Sequence, residues 1–536
     1  MKKTFFLLFT AVFISLTASA QSVLATSILP NIQDLKNFAG NDQYVYVKGY
    51  YTPDDGGGGL FKNEVSNFPE NGGTIFNVNG NPTKRWIRLY DASINVKWFG
   101  AKGNFHDDDT DAIQNAIYES QYKGKIVYLP KGEYRTTKSL KIDTRLERII
   151  EGDTTKIIRR LRIIGEEKTR TSIQADFNGV IFDLKMVPDS DTIQNMVIKD
   201  MTLITVNPST NLVTGIQISE NQGALIENLI FRDLRYDIYA NHFWSSTIRN
   251  CKSLINTTNS NFKNRYRFNT QCNDLLIEGC VLSNSAKNDD YLVVISEPSS
   301  SITFMSCTFE FGKGFFIDSR STKAALTNIS FIGCYWEWIQ YSAISIHNQA
   351  NVRGINITNN YFNSITEGTA CNRGIDRNRY EPNFAIVLGG AKGMSITDSY
   401  FTNWWKNPIY SAGFAEGINI NMCTWKTIEN IRVANANICC NNPNIIANPD
   451  YPIINSIPLN SQVFNPTSER GNYGGSSSLS SITSSKSDKI SLASPPKNGN
   501  WIQGDIIFNT NPVPGNYIGW VYSNNEWLGF GLIQNN

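Results

Sequence analysis

A short pattern returns nine times between Val197 and Trp425, and it constrains the fold more than any other feature of the chain. It reads apolar, any, Asn/Asp/Gly/Ser/Met, then small or apolar. Its first residues are Ile198, Ile226, Ile248, Ile277, Phe304, Phe331, Ile357, Ile396 and Ile420, 22 to 39 residues apart. Self-similarity at such a period marks a solenoid. Around each copy apolar and polar residues alternate, as in Ser301-Ile302-Thr303-Phe304 and Asn328-Ile329-Ser330-Phe331. That is strand periodicity, with no helical stripe. Asn, Asp or Gly at the third place of most copies suits a sharp corner after a short strand. Stacking one strand per coil on the next, about 4.8 Å away, gives a parallel β-helix with a continuous interior.

Nine cysteines are an odd number, so at least one thiol is expected free. Cys251, Cys280, Cys307, Cys334 and Cys423 share one repeat position, which the alternation turns inward. They read as a ladder of small buried residues. Without a Cys-x-x-Cys pair and with three His, neither a metal nor a cofactor is expected. A net charge of +2 without a basic stripe argues against nucleic acid as a partner.

Residues 1–20 read as a signal peptide. Lys2 and Lys3 precede an apolar stretch from Phe5 to Leu16 and a small-residue site at Ala18-Ser19-Ala20. No later apolar run is long enough to span a membrane, so the expected product is exported, to the periplasm or beyond the cell. Residues 21–95 form a Gly-rich and aromatic N-terminal β region in which Gly56 to Gly59 reads as a flexible loop. Residues 96–440 hold the β-helix and 441–500 an Asn-, Pro- and Ser-rich linker. Residues 501–536 hold a small β module, whose Trp residues serve either its core or sugar stacking. The run from Phe99 to Ile117 reads as strand, turn and helix, with Asp109 or Asp108 as the cap. Such a helix would close an end of the solenoid whose open edge could otherwise pair with other chains. The expected fold is therefore all-β, a right-handed parallel β-helix with an N-terminal capping helix and a small C-terminal β module.

Phe99–Ile117, followed by Val127-Tyr128-Leu129-Pro130-Lys131-Gly132, resembles the entry segment of the pectate-lyase-like superfamily of right-handed parallel β-helices. That superfamily includes polygalacturonase-like hydrolases, rhamnogalacturonan-degrading enzymes and phage tailspike depolymerases. Asn104-Phe105 stands where the family has Asp-Gly. The polygalacturonase motifs Asn-Thr-Asp, Gly-His-Gly and Arg-Ile-Lys are absent, so the resemblance transfers no catalytic residue. It implies a polysaccharide partner, with homotrimer assembly as in tailspike-like relatives.

The catalytic candidates come from aligning the repeats. Cys307-Thr308-Phe309-Glu310 matches Cys334-Tyr335-Trp336-Glu337, which places Glu310 and Glu337 outward on adjacent coils. Repulsion between stacked carboxylates holds a proton on one of them, giving an acid beside a base. Glu297, Asp318 with Arg320, and His347 fall in a later part of the same coils. Catalysis is assigned to Glu310, Glu337, Asp318 and His347. Substrate contacts are assigned to Arg320, Tyr335, Glu297, Arg267 and Tyr266. Lys263 to Arg267 reads as a basic and aromatic turn. The expected activity is a glycoside hydrolase on a polysaccharide, an acidic one by preference. The alternatives are a lyase using the Lys263–Arg267 patch and a non-catalytic glycan-binding spike. An insert, Glu367 to Asn383, is expected to wall the groove.

Overall fold

The computed structural model describes residues 27–143, 148–150, 153–155, 161–185, 196–255, 263–284, 290–296, 298–318, 326–347, 351–363, 385–388, 391–402, 409–411, 416–421, 424–426, 436–439, 491–496 and 503–534. The signal segment and the Glu367–Asn383 insert lie outside them. One 31-stranded sheet, with parallel pairing from coil to coil, dominates the molecule. All nine repeat anchors stand in register, from Ile198 on Ile226 through Ile396 on Ile420. The ladder extends beyond them, to Ile163, Val127 and Ile94 on one side and Ile438 on the other.

The corner explains why the repeat is so legible. Asp200, Asn228, Asn250, Gly279, Ser306, Gly333, Asn359 and Asp398 all have φ between 50° and 61°. One residue in this left-handed region turns the chain from the anchor strand into the next strand. It costs an ordinary L-residue about 1–2 kcal/mol, and Gly, Asn and Asp bear it best. Ser306 is the exception among the eight, and Gly333 on the next coil leaves open space above its hydroxyl. Ser306→Asn is expected to stabilise the protein by about 1 kcal/mol, read as a higher thermal unfolding midpoint.

The place after the corner faces inward. Cys251, Cys280, Cys307 and Cys334 are buried and free, and each thiol points at the carbonyl two residues back. Asn360 and Ser399 continue the ladder, and their side chains donate to the carbonyls of Thr358 and Thr397. A thiol suits this place because it fills the volume and still offers a weak donor. Cys423 lies outside the described residues.

Residues 27–88 form a separate five-stranded sheet around Val45, Val47, Phe61, Phe76 and Trp86. The Gly56–Gly59 segment, read from sequence as a flexible loop, is a packed turn. Buried Arg88 donates to the carbonyls of Gly57 and Gly58 at 2.8 and 2.6 Å. A Cβ on Gly58 would stand 2.5 Å from the Lys48 carbonyl oxygen, so the glycine answers a close approach.

The helix Thr110–Lys123 buries Ile113, Ala116 and Ile117 and packs on the first strands of the large sheet. Asp109 holds the N-cap position, but its carboxylate makes no cap bond. It turns back to accept from the N–H groups of Lys102 and Gly103 at 2.6 and 3.0 Å. Asp108 takes the capping bond from the Thr110 N–H instead, at 3.0 Å. Burial pushes the Asp109 carboxyl up to about 6, against the pull of those two N–H donors. A carboxyl raised by folding contributes stability below its ordinary pKa and loses it as pH rises through the raised value. The stability of the protein is therefore expected to fall between about pH 4 and pH 6 through this group. In Asp109→Asn that component of the slope should vanish in urea unfolding followed across the same range.

The strands Ser491–Leu492, Ile506–Asn509, Tyr517–Ser523 and Glu526–Leu532 form a four-stranded sheet. Ile507 is buried within the same apolar cluster as the β-helix interior, and Trp520 and Trp527 pack against it. These two indoles serve a core. Among the described residues no helix is long and apolar enough to cross a membrane.

Candidate functional site

From the corner at Asn250 to that at Asp398, each coil carries a three-residue strand whose middle residue faces in. Phe309, Trp336, Phe362 and Phe401 fill these inner places and are fully or almost fully buried. Their rings stack coil on coil, with centroids 4.3, 5.4 and 4.6 Å apart. The backbone register of these strands sets the spacing of what stands outside, about 4.8 Å per coil.

Glu310 and Glu337 are register partners on adjacent coils. Both flank buried residues and face outward, half-buried. The same ladder continues through Ser283 before them and Asn363 and Thr402 after them. Tyr335 stands two residues before Glu337, with Thr308 as its partner on the preceding coil. Beyond the acids the chain turns again at Phe311 and Trp338, both at positive φ, whose rings stack at 5.5 Å. The carboxylate pair thus lies between Tyr335 and an aromatic corner.

The third strand of the coil places the other candidates. Ser296 pairs with Asp318, and the His347 N–H donates to the Ile317 carbonyl at 3.0 Å. Ser296, Asp318 and His347 therefore follow one another coil by coil. The His347 ring meets Phe316 edge-on at 6.0 Å. The Asp318 side chain, Arg320 and Glu297 lie outside what the structure describes.

The basic run from Lys263 to Arg267 departs from expectation. It leads directly into the strand Tyr266–Glu278, and Asn264, Arg265 and Tyr266 are buried. Tyr266 lies in the interior cluster, so it does not reach a polymer on the outside. Arg265 is held by Asp237 at 3.1 Å and by the carbonyls of Leu234, Arg235 and Lys263. Neither residue is a surface base or charge neutraliser. Arg267 is half-buried and donates to Asn264 Oδ1 at 3.3 Å. It shares an outward column with Val294, Phe316 and Ser345.

Sequence reasoning missed Tyr361 and Tyr400. They continue the Tyr335 column, with stacked rings at 5.4 and 5.1 Å. Each stands four places after its anchor, at Ile357 and Ile396, as Tyr335 does after Phe331.

The family described as rhamnogalacturonase A/epimerase, pectate lyase-like, matches residues 93–232. The coil register shows the same architecture continuing to residue 439. Its fold is that of the pectate-lyase-like superfamily of parallel β-helices. Within that superfamily fold, the enzymatically active domain of bacteriophage CBA120 tailspike protein 2 superposes with a TM-score of 0.51 at 14% identity. The match covers 77% of this chain and 60% of that one. The tailspike gp49 of Acinetobacter baumannii bacteriophage Fri1, a capsular polysaccharide depolymerase, gives 0.51 at 12% identity, over 77% and 75% of the two chains. The region before the β-helix, residues 28–91, matches the phage tail protein small four-stranded beta-sheet domain. In sequence, the Mu-like prophage FluMu defective tail fiber protein of Haemophilus influenzae is 29% identical over 150 residues. That match covers 27% of this chain and 23% of the relative. Alginate lyase 7 of Azotobacter vinelandii is 60% identical over 45 residues, 8% of this chain and 5% of its own. The chain thus spans less than a quarter of either relative's length.

Proposed function

We propose that this chain is an exported polysaccharide-processing enzyme, a glycoside hydrolase with Glu310 and Glu337 as its acid and base or nucleophile. The observation that carries the reading is the register pairing of these two acids on one outward face beside Tyr335. A hydrolase needs two carboxyl groups flanking the scissile bond. One-coil spacing, about 5 Å, corresponds to the retaining arrangement, in which one carboxylate attacks and the other protonates the leaving oxygen. Asp318 and His347 are assigned to a neighbouring part of the same face, with Arg267, Arg320 and Glu297 as further substrate contacts. The polysaccharide-active relatives support the substrate class, and fold alone does not.

In this reading residues 1–20 direct export, the helix from Thr110 covers the first coil, and the chain assembles as a homotrimer. Incubation with plant, algal and bacterial polysaccharides, followed by a reducing-end assay, tests the activity. An ultraviolet-absorbing unsaturated product would replace hydrolysis by β-elimination. Binding without new ends would make the protein a glycan-binding spike.

A further inference from the structure

We infer that Tyr335, Tyr361 and Tyr400 form a one-sided, uncharged glycan-binding strip, which lays the polymer along the β-helix axis on the C-terminal side of Glu310 and Glu337. The inference rests on the proposed polysaccharide role. It adds the direction of the bound chain and the character of the sugars held there.

The fold does not require these rings. The same column carries Lys252, Val281 and Thr308 on the preceding coils and Thr424 on the next. A threonine serves the strand equally well at an outward place. Yet three tyrosines stand there consecutively, and Tyr361 remains 40% exposed while stacked on both sides. The stacking covers both faces of Tyr361 and the facing sides of Tyr335 and Tyr400, so the middle of the row presents its ring edge and phenol hydroxyl. Burial, together with Tyr400 and Tyr335 alongside, holds the Tyr361 phenol above its ordinary pKa. It stays protonated, able to donate and to accept.

Spacing selects the occupant. One ring per coil repeats at about the advance of one pyranose along an extended chain, so successive sugars meet equivalent hydroxyls. A peptide strand would instead need an open backbone edge, and these strands are paired on both neighbouring coils. The column two places on is Asn363 and Thr402 beyond the acid pair. On the coils of Tyr361 and Tyr400 neither column carries a charged side chain, which favours uncharged sugars there, and Lys426 enters the second column only on the following coil. Among the described residues no other ring stacks on the side of Tyr335 facing Thr308. A sugar stacking there would lie at the level of Glu310, where the strip meets the acids.

The test uses the full chain carrying Glu337→Gln, to stop turnover, in affinity electrophoresis. The probes are amylose, laminarin and galactan as neutral polymers, and alginate and polygalacturonate as acidic ones. Tyr361→Ala and Tyr400→Ala are expected to weaken binding of a neutral polymer roughly tenfold. Lys252→Ala, on the other side of the acids, should change it less than twofold. Tyr361→Phe keeps the ring packing, so a smaller loss in that variant isolates the hydroxyl from any effect on folding. In the active chain the tyrosine losses should fall on KM rather than kcat. Unchanged binding in both alanine variants would overturn the inference. So would losses confined to the acidic polymers, an equal loss from Lys252→Ala, or no binding of any probe by the parent. Binding that depends on the tyrosines in a wild-type chain that releases no ends would leave the strip standing and remove the hydrolase.

Discussion

Glu310→Gln and Glu337→Gln should each reduce polysaccharide turnover by roughly 10²–10⁴-fold, the usual contribution of a positioned acid or base. The amide keeps the size and much of the hydrogen bonding of the carboxyl. Folding and polymer binding should therefore survive, because both side chains face outward beside buried Phe309 and Trp336. The two variants should differ in pH dependence. Losing the general acid removes the limb of the kcat/KM profile set by protonation, and losing the base or nucleophile removes the other. A retaining double displacement adds a second signature. Azide should restore turnover, on an activated substrate, to one of Glu310→Ala and Glu337→Ala, by occupying the space the truncated side chain leaves. Full activity in both variants, or an unsaturated product that persists in both, would remove the pair from the chemistry.

How much of this was legible depends on which constraints repeat. The coils from Ile198 to Ile396 could be read because each couples an inward anchor to a left-handed corner, and that corner admits few residue types. The earlier coils at Val127 and Ile163 share the register but not the corner. Val127 leads to Leu129, and Ile163 leads to Gly165, which is not in the left-handed region, and then to Glu166, so the pattern does not mark them. The acid pair was legible because strand alternation fixes which side a residue faces once its neighbour is known to be buried. The tyrosine strip is written in the same repeat, at the fourth place after three consecutive anchors. It acquires meaning only when the register shows that the rings stack and stay partly exposed. The Lys263–Arg267 run misleads for a different reason. Arginine is rarely buried, and the partners that make burial tolerable here lie about a coil away in sequence.

Those partners make Arg265→Met the substitution with the largest expected structural effect. The guanidinium and Asp237 are 1% and 0% exposed, and their atoms meet at 3.1 Å. The Ser253 hydroxyl donates to the other Asp237 oxygen. Three further guanidinium bonds reach carbonyls of Leu234, Arg235 and Lys263, tying one coil to the next. Removing the arginine leaves a buried carboxylate without its cation, at a cost of about 3–5 kcal/mol. Removing both charges in Arg265→Met/Asp237→Leu should recover much of that, since well-packed apolar replacements of a buried pair are often neutral or better. The deficit should also depend on pH. Burial already holds Asp237 up at about 6, with Arg265 pulling the other way. Without that pull the folded value rises further. A group raised in this way is fully tolerated below its ordinary pKa and costs most once pH passes the raised value. The gap in unfolding midpoint between wild type and Arg265→Met should therefore be wider at pH 8 than at pH 5. A surface role in substrate binding predicts the reverse pattern, with unchanged midpoints at both pH values and a raised KM.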